Sequence, residues 1–197
     1  MIGANCEKTI VLASASPRRK ELLEQIGLEF EVEPGNYEEG LSLELEPHEL
    51  ARKISLDKAR VVAVKYKNSI VIAADTFIVF GGRILGKPHT EKDAREMLVA
   101  ISGKGHSVIT GFSIIDTGNN KTLSRSVETK VYIRELTLAE IDAYVKSGEP
   151  LDKAGAYAIQ GLGSVFVEKI DGDYYNVVGL PLSALTKALK DFGINIL

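Results

Sequence analysis

The chain is poor in the residues that would announce most specialised chemistries. It has a single cysteine, Cys6, among its 197 residues. That excludes an intrachain disulfide framework and a cysteine-clustered metal site, and Cys6 reads as a small residue near the N-terminus. There are three histidines, and no two of them lie at ligand spacing, so a zinc site is not expected. His48 and His89 read as surface residues and His106 as the start of a strand. A basic surplus is also missing: 24 Lys and Arg against 27 Asp and Glu give a formal net charge of −3. A non-specific nucleic-acid binder would normally carry the opposite sign. No apolar run approaches the length of a membrane span and no signal-peptide pattern is visible, which predicts a cytoplasmic protein with no membrane partner. There is no Ser-His-Asp arrangement, no Walker-type phosphate loop and no Rossmann glycine fingerprint. Internal repeats and low-complexity linkers are absent too. What is present is ordinary in bulk, with 45% hydrophobic and 26% charged residues. The length suffices for one domain with a sizeable core, or one domain in two lobes.

The most informative stretch is V-L-A-S-A-S-P-R-R-K-E-L-L, residues 11–23. Residues 9–13 form a short apolar run with β-branched members and read as a buried strand. Ser16-Pro17 follows as an N-cap with proline at the first helical position. Leu22, Leu23 and Ile26 give the helix its apolar face. A strand passing abruptly into a helix leaves backbone N–H groups at the helix N-terminus, an anion site before any side chain is counted. Arg18, Arg19 and Lys20 occupy the first turn. Cations there oppose the helix dipole and cost on the order of 0.3–1 kcal/mol each unless an anion compensates. A solvated basic turn explains the same residues without a ligand. With Ser14 and Ser16 adjacent, a phosphate site is the preferred reading.

Further along, residues 28–32 read as a strand, and the acidic stretch 36–46 carries Glu38 and Glu39. Such a stretch is either a solvated loop or a source of oxygen ligands for a hard divalent cation. Residues 47–65 read as a helix with Leu50, Ile54 and Val61 on one face. Lys58 falls on that face, either snorkelling to solvent or aimed into a cleft. Residues 70–74, I-V-I-A-A, read as a fully buried strand ended by Asp75-Thr76. A carboxylate at such a strand end is where α/β folds commonly place chemistry; a turn cap is the plainer role. Residues 77–85 read as a hairpin around Gly81-Gly82 that delivers Lys87 between Gly86 and Pro88.

Thr90 to Asp93 resembles a capping box with Asp in place of Glu. It opens a helix lined by Ala94, Met97, Leu98 and Ile101, with Gly103 as its stop. Residues 106–115 and 123–136 read as long strands joined at Gly118-Asn119-Asn120. Thr137 to Glu140 opens another helix, which ends near Ser147-Gly148. In D-K-A-G-A-Y-A-I-Q-G-L-G, residues 152–163, glycines surround Tyr157 and Gln160. They permit close backbone approach to a ligand, or mark tight turns. Residues 164–170 and 174–178 read as a hairpin. Leu180-Pro181 opens a last helix with Leu182, Leu185 and Leu189 inward and Gly193 as a stop.

Cations at Arg18, Arg19, Lys58 and Lys87, with carboxylates at Asp75 and Glu38-Glu39, suit metal-assisted attack of water on a phosphate ester or anhydride. The same residues carry a resemblance. S-A-S-P-R-R-K-E-L-L at 14–23, A-A-D-T at 73–76, L-G-K-P at 85–88, S-G-K-G-H-S-V-I-T-G at 102–111, K-A-G-A-Y-A-I-Q-G at 153–161 and D-G-D-Y-Y-N-V-V-G-L-P at 171–181 resemble the Maf family of nucleotide pyrophosphatases. The resemblance runs in order over nearly the whole chain. It implies an α/β fold with a mixed twisted sheet in two lobes around a central cleft, similar to the inosine triphosphate pyrophosphatases, as one domain over residues 1–197. It also implies hydrolysis of a nucleoside triphosphate to monophosphate and pyrophosphate with a divalent cation, Mg²⁺ or Mn²⁺.

By resemblance, Asp75 is the proton acceptor for water, and Glu38 and Asp75 are the metal ligands. Ser14, Arg18, Arg19, Lys58 and Lys87 line the substrate site. Thr76 and Gln160 match the subgroup similar to dTTP/UTP pyrophosphatases rather than the one acting on 7-methyl-GTP. The implied partner is the nucleotide, with neither nucleic acid nor membrane, and a homodimer is compatible with it. The competing class is a non-catalytic regulator of septum formation or a nucleic-acid-binding protein, and the net charge of −3 argues against the latter.

Overall fold

The β-branched run near the start of the chain becomes the middle of three parallel strands. In this computed structural model, which describes residues 8–35 and 45–197, β1 (Thr9–Leu12) pairs in parallel with β2 (Glu31–Val32) on one side and β3 (Ser69–Phe80) on the other. Cys6, Glu38 and Glu39 lie outside the described residues. The remaining strands are β4 (Arg83–Leu85), β5 (Gly105–Asp116), β6 (Lys121–Ile133) and β7 (Val167–Asp171). Among the described residues the sheet order is β2-β1-β3-β5-β6-β7, with β4 on β3. The helices are α1 (Pro17–Gln25), α2 (Pro47–Ala63), α3 (Glu91–Ile101), α4 (Leu138–Lys146), α5 (Tyr174–Val178) and α6 (Leu182–Lys190). This is the mixed α/β class expected. No helix among the described residues is long and apolar enough to cross a membrane.

The chain divides into two compact units. The first comprises Met1–Asp75, Thr110–Val127 and Gly179–Leu197. Its core sets Ala59 and Val62 of α2 against Val11 of β1 and Val71 and Ala73 of β3. The approach of α2 to β5 is close enough that a Cβ on Gly111 would lie 2.0 Å from the Ala51 carbonyl oxygen. At the same contact the Ser55 and Ser113 hydroxyls are 2.8 Å apart. The strand expected over residues 28–32 is reduced to Glu31–Val32. Gly27, at φ +71°, lets the Leu28 N–H donate to the Leu23 carbonyl at 3.2 Å, so Leu28 closes α1 instead.

The second unit comprises Thr76–Ile109 and Glu128–Val178. The expected end of β3 at Asp75-Thr76 is not observed: the strand runs on to Phe80 and turns back into β4 with Phe80 opposite Arg83. Gly81 and Gly82, both at positive φ, make the two-residue turn that matches strand twist. Both Thr90 and Thr137 form reciprocal capping boxes, with Asp93 and Glu140, as the sequence predicts. The expected second strand of the hairpin at 174–178 is α5, a helix. The Asp173 carboxylate accepts from the Tyr175 N–H at 2.8 Å and caps it, and the buried Asn176 amide donates to the Val108 carbonyl at 3.0 Å. The partner of β7 is therefore β6, antiparallel, which itself stops at Ile133, short of the expected Leu136.

Candidate active site

Parallel pairing brings the first group of site residues to one strand end. Leu12 is opposite Ile72, and the Ala13 N–H continues the ladder to the Ile72 carbonyl at 2.8 Å. Ser14 therefore leaves β1 beside the Ala74-Asp75 step of β3, at the carboxyl end of parallel strands where α/β sheets bind ligands. Ser14 is buried and organises the turn into α1. Its Oγ accepts from the Ser16 N–H and from Arg19 Nη1, both at 3.2 Å. Ser16 stands at the N-cap position but its side chain makes no capping bond, and Pro17 contributes no N–H.

The two arginines, equivalent by sequence, differ here. Arg19 also donates through Nε to the Gly179 carbonyl at 2.9 Å, so it braces the turn against the segment that leads into α6. Arg18 is half-buried and has no hydrogen-bond or ion-pair partner among the described residues. Lys20 points elsewhere and pairs with Glu24 at 3.6 Å on the exposed side of α1.

Lys58 does not snorkel. The helix face that buries Ile54, Ser55 and Ala59 carries Lys58 toward β3, and its Nζ lies 2.6 Å from Asp75 Oδ1. The two side chains are 19% and 13% exposed, enough shielding to fix the geometry and enough access for a solute. Asp75 sits mid-strand, so it is not a turn cap. Its carboxylate is satisfied by Lys58, and that is why the strand need not end there. Ser14, Arg18, Arg19, Lys58 and Asp75 all belong to the first unit.

Thr76, Lys87 and Gln160 belong to the second unit. Lys87 is exposed between exposed Gly86 and buried Pro88. The Gly86 carbonyl accepts from the Gly155 N–H at 3.0 Å, tying the Lys87 loop to the glycine-rich stretch. Gly155 has φ +68°, and a Cβ there would meet Ile78 Cδ1 at 2.5 Å. The glycine stretch is three short 3-10 turns, Glu149–Asp152, Ala154–Ala156 and Leu162–Phe166. Half-buried Gln160 lies between the second and third.

Sequence reasoning missed the residues that hold this stretch. His106 is buried on β5, and its Nε2 is 2.8 Å from the Tyr157 hydroxyl. Burial lowers the His106 pKa to about 4, so its imidazole is neutral. Glu149 and Tyr144 bond the backbone on both sides of Gln160. The available signal was weak: a tyrosine on the apolar face of α4 and an acid just beyond its glycine stop.

As for a metal, no cluster of three or more His, Cys, Asp or Glu side chains exists among the described residues. Asp75 supplies a hard oxygen donor beside the turn into α1. That donor set fits Mg²⁺, which takes one or two carboxylates and completes its shell with water and substrate phosphates.

The chain is also similar to known proteins over most of its length. The family model described as Maf-like protein matches residues 9–192. A dTTP/UTP pyrophosphatase of Bacillus cereus is 50% identical over 194 residues, 98% of this chain and 94% of that protein. A dTTP/UTP pyrophosphatase of Methanococcoides burtonii is 52% identical over 190 residues, 96% of this chain and 97% of that protein. Among solved structures, the Staphylococcus aureus Ham1 protein superposes with a TM-score of 0.51 at 14% identity, covering 94% of this chain and all of the other. That likeness is one of fold.

Proposed function

The chain belongs to the Maf family, and from that membership we propose that it is a nucleoside triphosphate pyrophosphatase acting on dTTP and UTP, releasing the monophosphate and pyrophosphate. The observation that carries the reading is the Lys58–Asp75 pair, 2.6 Å apart, with Asp75 inside β3 and beside the end of β1 that presents Ser14 and the first turn of α1. The first turn of α1, with Arg18 and Arg19 at its helix N-terminus, is a site for the triphosphate. Lys58, on the same unit, adds charge to it. Lys58 orients the Asp75 carboxylate through Oδ1, and the carboxylate accepts the proton of the attacking water. Asp75 and Glu38, the latter outside the described residues, would hold Mg²⁺ or Mn²⁺, which when bound polarises a phosphoryl oxygen.

Base choice rests on Gln160 and Thr76. A uracil or thymine edge presents carbonyl acceptors flanking an N–H donor, and a glutamine amide offers one donor and one acceptor to match. Cytosine puts an amino donor where O4 was. Like groups then face each other, at a cost of about 1–3 kcal/mol for the unpaired polar group. The single cysteine supports a cytoplasmic enzyme, and the net charge of −3 supports one without nucleic acid as a partner.

The test is a nucleotide panel in which pyrophosphate and orthophosphate are measured separately, with and without chelator. Expected are pyrophosphate release from dTTP and UTP ahead of ATP, GTP and CTP, and loss of turnover on chelation. Orthophosphate as the first product, or full activity after exhaustive chelation, contradicts the reading.

A further inference from the structure

We propose that Tyr144 and Glu149 form a clamp that sets the position of Gln160, and so act as positioning residues for base selection. This inference rests on the assignment of Gln160 as the base-reading side chain. The Tyr144 hydroxyl, buried at the end of α4, accepts from the Ala158 N–H at 3.3 Å. It donates in turn to Glu149 Oε1 at 2.9 Å. The same Oε1 accepts from the Gly163 N–H at 3.0 Å, and Oε2 accepts from the Leu162 N–H at 3.0 Å. The backbone is thus pinned two residues before Gln160 and two and three residues after it, and all the pins converge on one carboxylate.

The glycines of the stretch follow from the clamp. A Cβ on Gly161 would lie 2.7 Å from Glu149 Oε2, and Gly161 has φ +80°. A Cβ on Gly163 would lie 2.6 Å from the Ala158 carbonyl and 2.7 Å from the Tyr144 hydroxyl. These glycines face the clamp, and Gly155 faces Ile78, so their small size has a cause inside the protein.

A carboxylate is the group this geometry needs. It must accept three hydrogen bonds and donate none, which an ionised acid does and an amide does not. Burial pushes the Glu149 carboxyl up. The Gly163 and Leu162 N–H groups, the Tyr144 hydroxyl and the charge of Lys153 outweigh that, and its pKa falls below the usual glutamate range. Glutamine at this position would set an N–H₂ against at least one backbone N–H in either amide orientation. The loop would then shift, and a base-reading amide displaced by even an ångström loses its match to the uracil edge.

The experiment measures kcat/KM for UTP and CTP in the intact protein, Glu149→Gln, Tyr144→Phe, Gln160→Ala and the Glu149→Gln/Gln160→Ala double variant. The UTP-to-CTP ratio should fall about tenfold in Glu149→Gln, through KM more than kcat. Tyr144→Phe keeps the edge contact with Phe166, whose ring centroid is 4.9 Å away. It should lower the ratio in the same direction by less, and it carries the test if Glu149→Gln fails to fold. In the Gln160→Ala background Glu149→Gln should change the ratio no further. A merely structural role would reduce activity toward both nucleotides and leave the ratio alone. A ratio retained in both clamp variants but lost in Gln160→Ala overturns the clamp and spares the base reading. A ratio untouched by Gln160→Ala overturns the base reading and the clamp with it. Additive effects in the double variant also overturn the clamp.

Discussion

A lysine on the buried side of a helix and a carboxylate inside a buried strand each break a local rule, and each breaks it toward the other. The 2.6 Å contact between Lys58 and Asp75 resolves both. Replacing Asp75 by Asn preserves shape and removes the proton acceptor. Turnover of Asp75→Asn should therefore fall by roughly 10²–10⁴-fold, the usual worth of a general base. A folded Asp75→Asn enzyme with near wild-type turnover would remove Asp75 from that role. Rule-breaking made these residues legible in the sequence, as it did the basic first turn at Arg18 and Arg19. Arg19's second duty was not legible: its bond to the Gly179 carbonyl spans residues far apart in the chain. Glu149 and Tyr144 break no local rule at all, since an acid after a helix stop and a tyrosine on an apolar face are both ordinary. Only their convergence on the backbone around Gln160 marks them.

At the scale of elements, the local signals that survived were those with their own hydrogen-bond chemistry. The capping boxes at Thr90 and Thr137 and the Gly81-Gly82 turn formed as read, because each satisfies its own backbone groups. The structure departs from the local signals where tertiary partners decide. β3 runs through Asp75 because Lys58 satisfies the carboxylate. Residues 174–178 are helical because Asp173 caps them and Asn176 is bonded into the core. The glycine that ends the 102–111 motif has a tertiary cause as well. Gly111 lets β5 touch the backbone of α2, the helix that carries Lys58. In Gly111→Ala the new Cβ would sit 2.0 Å from the Ala51 carbonyl oxygen, an overlap with backbone that no rotamer change relieves. Overpacking of this kind costs at least about 1–3 kcal/mol. Gly111→Ala should lower the melting temperature and, by displacing α2, reduce turnover beyond the loss of folded protein. Wild-type stability in Gly111→Ala would contradict so close an approach of β5 to the α2 backbone.

For the whole molecule, the same buried histidine that braces the Tyr157 segment predicts how stability depends on pH. His106 is 4% exposed, faces the Tyr157 hydroxyl, and has its pKa lowered by burial to about 4. In the unfolded chain its pKa returns to about 6.5. Between these values the unfolded state binds the proton that the native state refuses, so stability rises with pH across that window. It is fully present above about pH 6.5 and is lost progressively as pH falls toward 4. The loss is roughly 3 kcal/mol, from 1.4 kcal/mol per pH unit of separation. Asp116 acts in a lower window. Burial raises its pKa, but the Lys8 ammonium and the Gly118 and Asn119 N–H groups lower it further, to a net value below the usual range. Its contribution is therefore lost only as pH falls below the unfolded-state carboxyl value. Glu149, also depressed, behaves likewise. Denaturant midpoints measured from pH 7 to pH 4 should decline in the wild type. His106→Gln is neutral throughout and can still hydrogen-bond Tyr157, so its midpoints should stay nearly flat to about pH 4.5. Parallel declines in the two proteins would mean that His106 is protonated in the native state and that the slope belongs to the carboxylates.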